Sequence, residues 1–340
     1  MFFKRFTGLF SNAIGIDLGT ANTLVYLKGE GIVTREPSVV AVNKNTKKVI
    51  AVGKEAKRMI DRAPPTIAAT RPMRDGVISD FDVCEQMLRY FIGQTARKTL
   101  FTHLAVVIAV PYGINPVSKR AVMDSAYRAG ADEACTLAEP IASALGVGLP
   151  VGEPAGSMII DIGGGTTEVA ILSLGDIAYA ESIGIGGDEF DRSIMNFVRN
   201  KYNLAIGSLM AEEIKIQIGS AMPLDEELRY EVKGRDTVTG LPRSEYISSD
   251  EVRQAIENNL SNIVESVKRA LEHSPPELVG DLIDRGITLA GGGSQLRGID
   301  KLISDATGVP AFVGDDPLCA VANGTGHYIE SDNWRSLVSQ

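Results

Sequence analysis

Two acidic residues occupy the same place in two matching stretches: Asp17 in Ile16-Asp-Leu-Gly-Thr-Ala-Asn-Thr23, and Asp161 in Ile160-Asp-Ile-Gly-Gly-Gly-Thr-Thr167. Each reads as a strand that ends in a carboxylate, followed by a Gly/Thr turn and a second strand. Gly-rich turns expose backbone N–H groups that can converge on an anion, and glycine allows a close approach. Thr20, Asn22, Thr166 and Thr167 add short polar donors. Asp17 and Asp161 are placed to hold a hydrated Mg2+, which keeps several waters and touches few carboxylates. A third cluster, Ile287-Thr-Leu-Ala-Gly-Gly-Gly-Ser-Gln-Leu-Arg297, reads as a strand, three glycines and a helix start. Such a side-chain-free surface near a helix N-terminus suits a nucleoside or a sugar. Each loop alone could be a plain tight turn. Two copies at domain spacing, with a third glycine cluster, point to a phosphate clamp between two like domains. None fits GxxxxGK[ST] or GxGxxG, which excludes a P-loop and a dinucleotide fold.

The surrounding elements alternate between strand and helix, the signature of α/β architecture. Ile14–Ile16, Thr23–Leu27, Leu104–Val110, Ser157–Ile162, Glu168–Leu172 and Ile287–Leu289 read as strands, and Val39–Val42 with Val49–Val52 as a hairpin. Helices are predicted at Lys54–Ile60, from Asp80, from Pro116 with Gly130 just past the end, at about 188–202, and at 209–219. Residues 223–248 suggest short strands and loops. Ser248-Ser-Asp-Glu251 is a capping box that opens a long helix ending at Ser274-Pro-Pro276.

With 340 residues, 44% apolar and 23% charged, the chain is an ordinary soluble globular protein of about two domains. Its net charge of −9, without a Lys/Arg cluster, argues against nucleic acid as a partner. The cysteines, Cys84, Cys135 and Cys319, lack CxxC spacing, which fits a reducing cytoplasm and excludes a disulfide framework. Three histidines leave little room for metal or triad chemistry. The first ten residues, MFFKRFTGLF, stand apart. On a helix Phe2, Phe3, Phe6, Leu9 and Phe10 fall within roughly 120°, with Lys4 and Arg5 opposite. Such a stripe either lies on a membrane surface or docks on the protein's own core.

The two Asp-Gly-Thr hairpins, the Ala290-Gly-Gly-Gly-Ser294 cluster and their order resemble the actin, Hsp70 and sugar-kinase ATPase superfamily. So do Glu139-Pro-Ile-Ala-Ser-Ala-Leu-Gly146 and Cys319-Ala-Val-Ala-Asn-Gly-Thr-Gly326, whose small residues suit two closely crossing helices at a hinge. Within it, the Asp17 and Asp161 motifs, Arg71-Pro-Met-Arg-Asp-Gly-Val-Ile78 and Pro275-Pro-Glu-Leu278 resemble the MreB family, the bacterial actins of cell shape. The resemblance runs from about residue 12 to 329. It implies an actin-like fold: two ribonuclease H-like domains, 12–150 and 151–322, with insertions near 41–73 and 190–249 and a return to the first domain over 323–340.

The resemblance also implies roles. Asp17, Thr20, Ala21, Asn22, Gly164, Gly165 and Thr166 would surround the phosphates and Mg2+ of ATP, with Asp161 as the second metal-side carboxylate. Gly292, Gly293, Ser294 and Gln295 would lie near the nucleoside. Glu212 and Lys215 would lie beside ribose and adenine, although i, i+3 spacing alone reads as a solvated surface pair. Glu139 and Thr166 would position and polarise the attacking water; the residues alone read Glu139 before Pro140 as a helix start. Ala138 departs from the family's usual acid there, and Tyr112 and Ser143 from commoner small residues. The expectation is an ATPase that polymerises on the cytoplasmic face of the membrane and organises cell-wall synthesis with membrane proteins. The alternatives are a small-molecule kinase, or an Hsp70-like chaperone ATPase, which would need a peptide-binding domain after the ATPase.

The family's membrane-binding N-terminal helix favours the membrane reading of residues 1–11. A buried large apolar side chain gives about 1.5–3 kcal/mol, of which an interfacial helix gains only part. One monomer should bind weakly, and a polymer presenting many anchors firmly. Deleting residues 1–11 is therefore expected to detach polymer from anionic liposomes in co-sedimentation while leaving assembly intact. A truncated polymer that still pellets with vesicles would show that the stripe packs on the protein itself.

Overall fold

The computed structural model describes residues 11–95 and 103–331. The Phe2, Phe3, Phe6, Leu9 and Phe10 stripe lies outside them. The described residues divide into two compact units, one within 1–153, 174–177 and 318–340, the other of 154–173 and 178–317.

The first unit opens with β1 (Ser11–Leu18), β2 (Asn22–Leu27), β3 (Gly31–Pro37), β4 (Val40–Asn43) and β5 (Val49–Val52), then the short α1 (Lys54–Lys57) and β6 (Ile67–Thr70). It continues with β7 (Met73–Arg74), β8 (Val77–Ile78), α2 (Phe81–Thr95), β9 (His103–Val110), α3 (Pro116–Ala129), β10 (Glu133–Ala138) and α4 (Glu139–Gly146). Its main sheet runs β10-β9-β1-β2-β3, with β1 antiparallel to β2 and parallel to β9. Strand β9 is buried from Leu104 to Val110, as a strand covered on both faces must be. Helix α2 packs Val83, Cys84, Met87, Leu88, Phe91 and Ile92 inward at helical spacing, and Asp80 caps it by accepting from the Val83 N–H (3.1 Å). Asn115 caps α3 in the same way, and Gly130 ends it in the left-handed region (φ 112°). A small sheet, β5-β4-β6, stands beside the main one.

The second unit holds β11 (Ser157–Ile162), β12 (Thr167–Ser173), β13 (Asp176–Ile183, whose first two residues belong to the first unit), α5 (Gly187–Tyr202), β14 (Leu204–Ala205) and α6 (Ser208–Ile218). There follow β15 (Arg229–Asp236), β16 (Pro242–Ser248), α7 (Ser249–His273), α8 (Pro276–Arg285), β17 (Ile287–Ala290), α9 (Ile299–Thr307) and β18 (Ala311–Val313). The order β13-β12-β11-β17-β18 repeats that of the first unit, with β11 antiparallel to β12 and parallel to β17. Every residue of β11 is buried. The capping box forms as read: Ser248 and Glu251 bond each other's main-chain N–H, and α7 runs to the Ser274 cap. No helix among the described residues is long and apolar enough to cross a membrane.

The structure corrects two local readings and adds one helix. Helix α1 stops at Lys57, because Met59 and Ile60 make tighter i→i−3 turns and Asp61 is left-handed (φ 57°). The proline pair after α7 starts another helix, α8, since proline suits a first helical turn. The triple glycine leads into a four-residue 3-10 turn, Gly292–Gln295, and the α-helix begins only at Ile299. Gly291 (φ 78°) and Gly298 (φ 72°) interrupt the chain between β17 and α9.

The last helix, α10 (Ala320–Glu330), returns to the first unit and packs across α4. A Cβ on Gly324 would overlap the Ala142 carbonyl, and one on Gly146 the Ala320 carbonyl, so the backbones touch there. Gly324→Ala is expected to lower stability by about 1–3 kcal/mol, read by denaturant unfolding, as overpacking in a closed core does. Helix propensity alone would give the opposite sign.

Candidate functional site

The first candidate turn joins β1 to β2. Asp17 lies one residue from the end of β1, paired across to Leu24 on β2 and beside Ala109 on β9. Its turn is held from outside by Ser38, a fully buried residue that no local pattern announces. The Ser38 hydroxyl donates to the Gly19 carbonyl (2.6 Å), its N–H donates to the Ala21 carbonyl (3.0 Å), and Thr23 lies 2.8 Å from its oxygen. Ser38 has one hydroxyl proton, so Thr23 is the donor in that last bond. Thr20 is buried, and its oxygen accepts from the Gly76 N–H (3.3 Å) of the β7–β8 hairpin, within the Arg71–Ile78 motif. Ala21 and Asn22 are half-buried, and a Cβ at Gly19 would lie 2.7 Å from the Asn22 carbonyl oxygen.

The second candidate turn joins β11 to β12. The Gly163 N–H closes it on the Thr166 carbonyl (2.8 Å), with Gly164 and Thr166 half-buried and Gly165 buried. Asp161 is 6% exposed and stands opposite Glu168 on β12 and beside Ala290 on β17. A Cβ on Gly291 would collide with the Asp161 carboxylate, so glycine is required there. Glu168, passed over in the sequence, is a fully buried carboxylate on the same sheet face, and Ser182 donates to it (2.5 Å). Thr167 does not serve as a free donor. It is fully buried, and its hydroxyl donates to the Ile185 carbonyl (2.7 Å), because the alternation of β12 turns it inward.

Beyond β17, Gly292 and Gln295 are exposed, and Gly293 lies over the Ile162 side chain. Ser294 is 1% exposed and donates its hydroxyl to Gly291 (2.7 Å), so that side chain shapes the turn. Glu139, half-buried, is the first residue of α4, next to β10. Glu212 is half-buried on α6. Lys215 is not a solvated surface residue: its side chain is 17% exposed, 2.8 Å from Asp191 and 2.9 Å from the Gly187 carbonyl. Burial pushes the Asp191 carboxyl up to about 6 in spite of that ammonium, with Glu212 and Asp188 adding to the rise. Burial also raises the thiols of Cys84 to about 12 and Cys135 to about 11, which disfavours the thiolate at both.

These donor sets suit a hard, hydrated cation and phosphate: strand-end carboxylates, threonine oxygens and glycine main chain, without thiolate or imidazole. Among the described residues no group of three or more His, Cys, Asp or Glu could cage a metal. A cation here would take most of its ligands from water and phosphate, as Mg2+ does.

A family model described as MreB/Mbl protein matches residues 11–336. The chain belongs to the MreB/Mbl family. Cell shape-determining protein MreB of Escherichia coli (strain K12) is 49% identical over 332 residues, 96% of each chain. Among solved structures, MreB 5 of Spiroplasma citri bound to AMPPNP superposes with a TM-score of 0.92 at 37% identity, covering 97% of this chain and 99% of that one. The MamK double helical filament, at 22% identity and a TM-score of 0.81, covers 94% and 99% and shares the fold. This MreB/Mbl chain thus has the actin-like α/β fold, its two five-stranded sheets being the ribonuclease H-like repeats. It is a cytoskeletal, actin-like protein.

If the β11–β12 turn takes the phosphates, Asp161→Ala is expected to abolish Mg-dependent ATP binding, because a carboxylate beside that turn is lost. Isothermal calorimetry with and without Mg2+ checks it. Undiminished affinity in the presence of Mg2+ would remove Asp161 from the site.

Proposed function

We propose that this MreB/Mbl-family chain binds ATP with Mg2+, hydrolyses it slowly and polymerises. On this reading its filaments lie on the inner face of the cytoplasmic membrane and organise cell-wall synthesis together with membrane proteins. The observation that carries the reading is the repeated turn. The same strand–carboxylate–glycine turn–strand unit stands at the same topological place in both sheets. The solved relatives from Spiroplasma citri, bound to AMPPNP and to ADP, support a nucleotide as the ligand. MamK, built on the same fold, forms a double helical filament, which supports self-association.

In this reading Asp17 and Asp161 hold Mg2+ through water, and the cation, when bound, offsets phosphate charge. Main chain and short side chains at Thr20, Ala21, Asn22, Gly164, Gly165 and Thr166 bind the phosphates. Gly292, Gly293, Ser294 and Gln295 with Glu212 and Lys215 take the nucleoside. The Glu139 carboxylate orients the attacking water and accepts its proton, while the Thr166 hydroxyl aligns the same water. The two units serve as the paired actin-like domains, with insertions at 41–73 and 190–249.

Sedimentation with and without Mg-ATP tests the reading, polymer being expected only with nucleotide. Glu139→Ala should keep binding and assembly yet slow phosphate release by about 10²-fold or more. Release at the parental rate would leave Glu139 as a helix-start residue only. ATP-dependent phosphorylation of a sugar or acid, without polymer, would make the protein a kinase instead.

A further inference from the structure

The first N–H groups of a helix have no acceptor within it. Helix α5 uses two of them on the β11–β12 turn: Gly187 donates to the Gly163 carbonyl (3.0 Å), and Asp188 to the Gly164 carbonyl (2.8 Å). The contact leaves no room for a side chain, since a Cβ on Gly186 would lie 2.7 Å from both carbonyl oxygens. The Gly187 carbonyl in turn accepts from Lys215 Nζ (2.9 Å). One turn further along α5, Asp191 Oδ1 stands 2.8 Å from the same ammonium as an ion pair. The whole relay lies within the second unit.

We propose that Asp191 is a positioning residue for nucleotide binding: its carboxylate holds the Lys215 ammonium on the first carbonyl of α5 and so sets the turn that takes the phosphates. The inference rests on the reading of the β11–β12 turn as a phosphate loop. The charged groups facing Asp191 are Lys215 and Glu212 on α6 and Asp188 on its own helix. Helix α7 meets α5 with the neutral Asn259, bonded to Ser193, and β14 is Leu204–Ala205.

The position of the carboxyl's titration, near 6, separates positioning from mere support. Burial outweighs the attraction of Lys215, so the folded protein holds this proton more tightly than the unfolded chain, whose value is 3.8. Acidification through 6 therefore stabilises the fold through this group, and that stability is lost as the pH rises back through 6. The same protonation removes the countercharge of Lys215 and loosens the turn. Nucleotide affinity and the contribution of this group to stability move in opposite directions.

The test is Mg-ATP affinity of the full chain, kept below its polymerising concentration, at about pH 7.5 and about pH 5.5, with unfolding midpoints alongside. The parent should lose about threefold more affinity on acidification than Asp191→Asn, which should already be about tenfold weak at the higher pH. ATP's own terminal phosphate titrates near 6 as well, and both proteins share that step, so the difference between them reads Asp191. Asp191→Glu should restore part of the affinity and of the pH step. If Asp191→Asn does not fold, Asp191→Ser replaces it, and the step must flatten there too. Parental affinity with a parental pH profile in Asp191→Asn, or in Asp191→Ser used in its place, overturns the positioning role alone. A parent that does not bind Mg-ATP, or Asp161→Ala that binds like the parent, overturns the phosphate-loop reading and the positioning role with it.

Discussion

A turn that offers main-chain N–H groups to an anion has to be held by its other half, the carbonyls. Both candidate turns obey this constraint. Around the β1–β2 turn, Ser38 donates from its hydroxyl to Gly19 and from its N–H to Ala21. Around the β11–β12 turn, the start of α5 donates to Gly163 and Gly164. Donors brought from elsewhere in each unit grip the carbonyl side, and glycine removes the side chains that would keep those donors away. The sheets behind supply the rigidity: β11 is buried throughout, and β9, beside β1, from Leu104 onward. Hydrogen bonds at the mouth of such strands are not diluted by motion of the strands themselves.

The duplicated topology uses two different grips, and the difference has physical consequences. Ser38 is a neutral clasp, buried, and its bonds are indifferent to pH across the physiological range. The α5 clasp is main chain, but its first carbonyl is engaged by a lysine whose countercharge is a buried carboxylate. A buried pair of this kind adds little net stability, because desolvation consumes most of the attraction. What it provides is a fixed position for the ammonium. Two loops of common design thus differ in the chemistry that can disturb them.

Much of this was visible in the sequence because its signals are local. Strand-end aspartates, glycine turns, the Asn115-Pro116 helix start and the Ser248–Glu251 box each lie within a few residues, where periodicity and capping rules operate. The grips were not visible for the same reason. Ser38 acts on a carbonyl 19 residues away, and Lys215 on one 28 residues away, at separations no local rule covers. Thr167 misled because a threonine beside a glycine turn resembles a loop donor. The first residue of β12 instead follows the strand's alternation into the core. Lys215 misled in the other direction, since i, i+3 spacing to Glu212 suggests an exposed pair, whereas its partner is on another helix.

Helix α4 shows how a local departure is absorbed by tertiary packing. Its N-cap is Ala138, extended and without a side-chain bond to the first turn, whereas Asn115 and Ser248 cap α3 and α7. A missing side-chain cap costs about 1 kcal/mol. Proline at 140 limits the loss, because it brings no N–H that needs a partner. Further along, α4 meets α10 at Ala142 and Gly146, where backbone lies on backbone. Packing at those two positions fixes the middle and far end of the helix, and Glu139 stands in the turn that has no side-chain cap. In the proposed reading Glu139 has to align a water, and alignment gains rate only to the extent that the aligning group is already immobile. A first turn without a side-chain cap supplies less of that immobility. In that reading the uncapped turn works toward slow hydrolysis, while the two candidate turns, held by separate grips, are untouched by it.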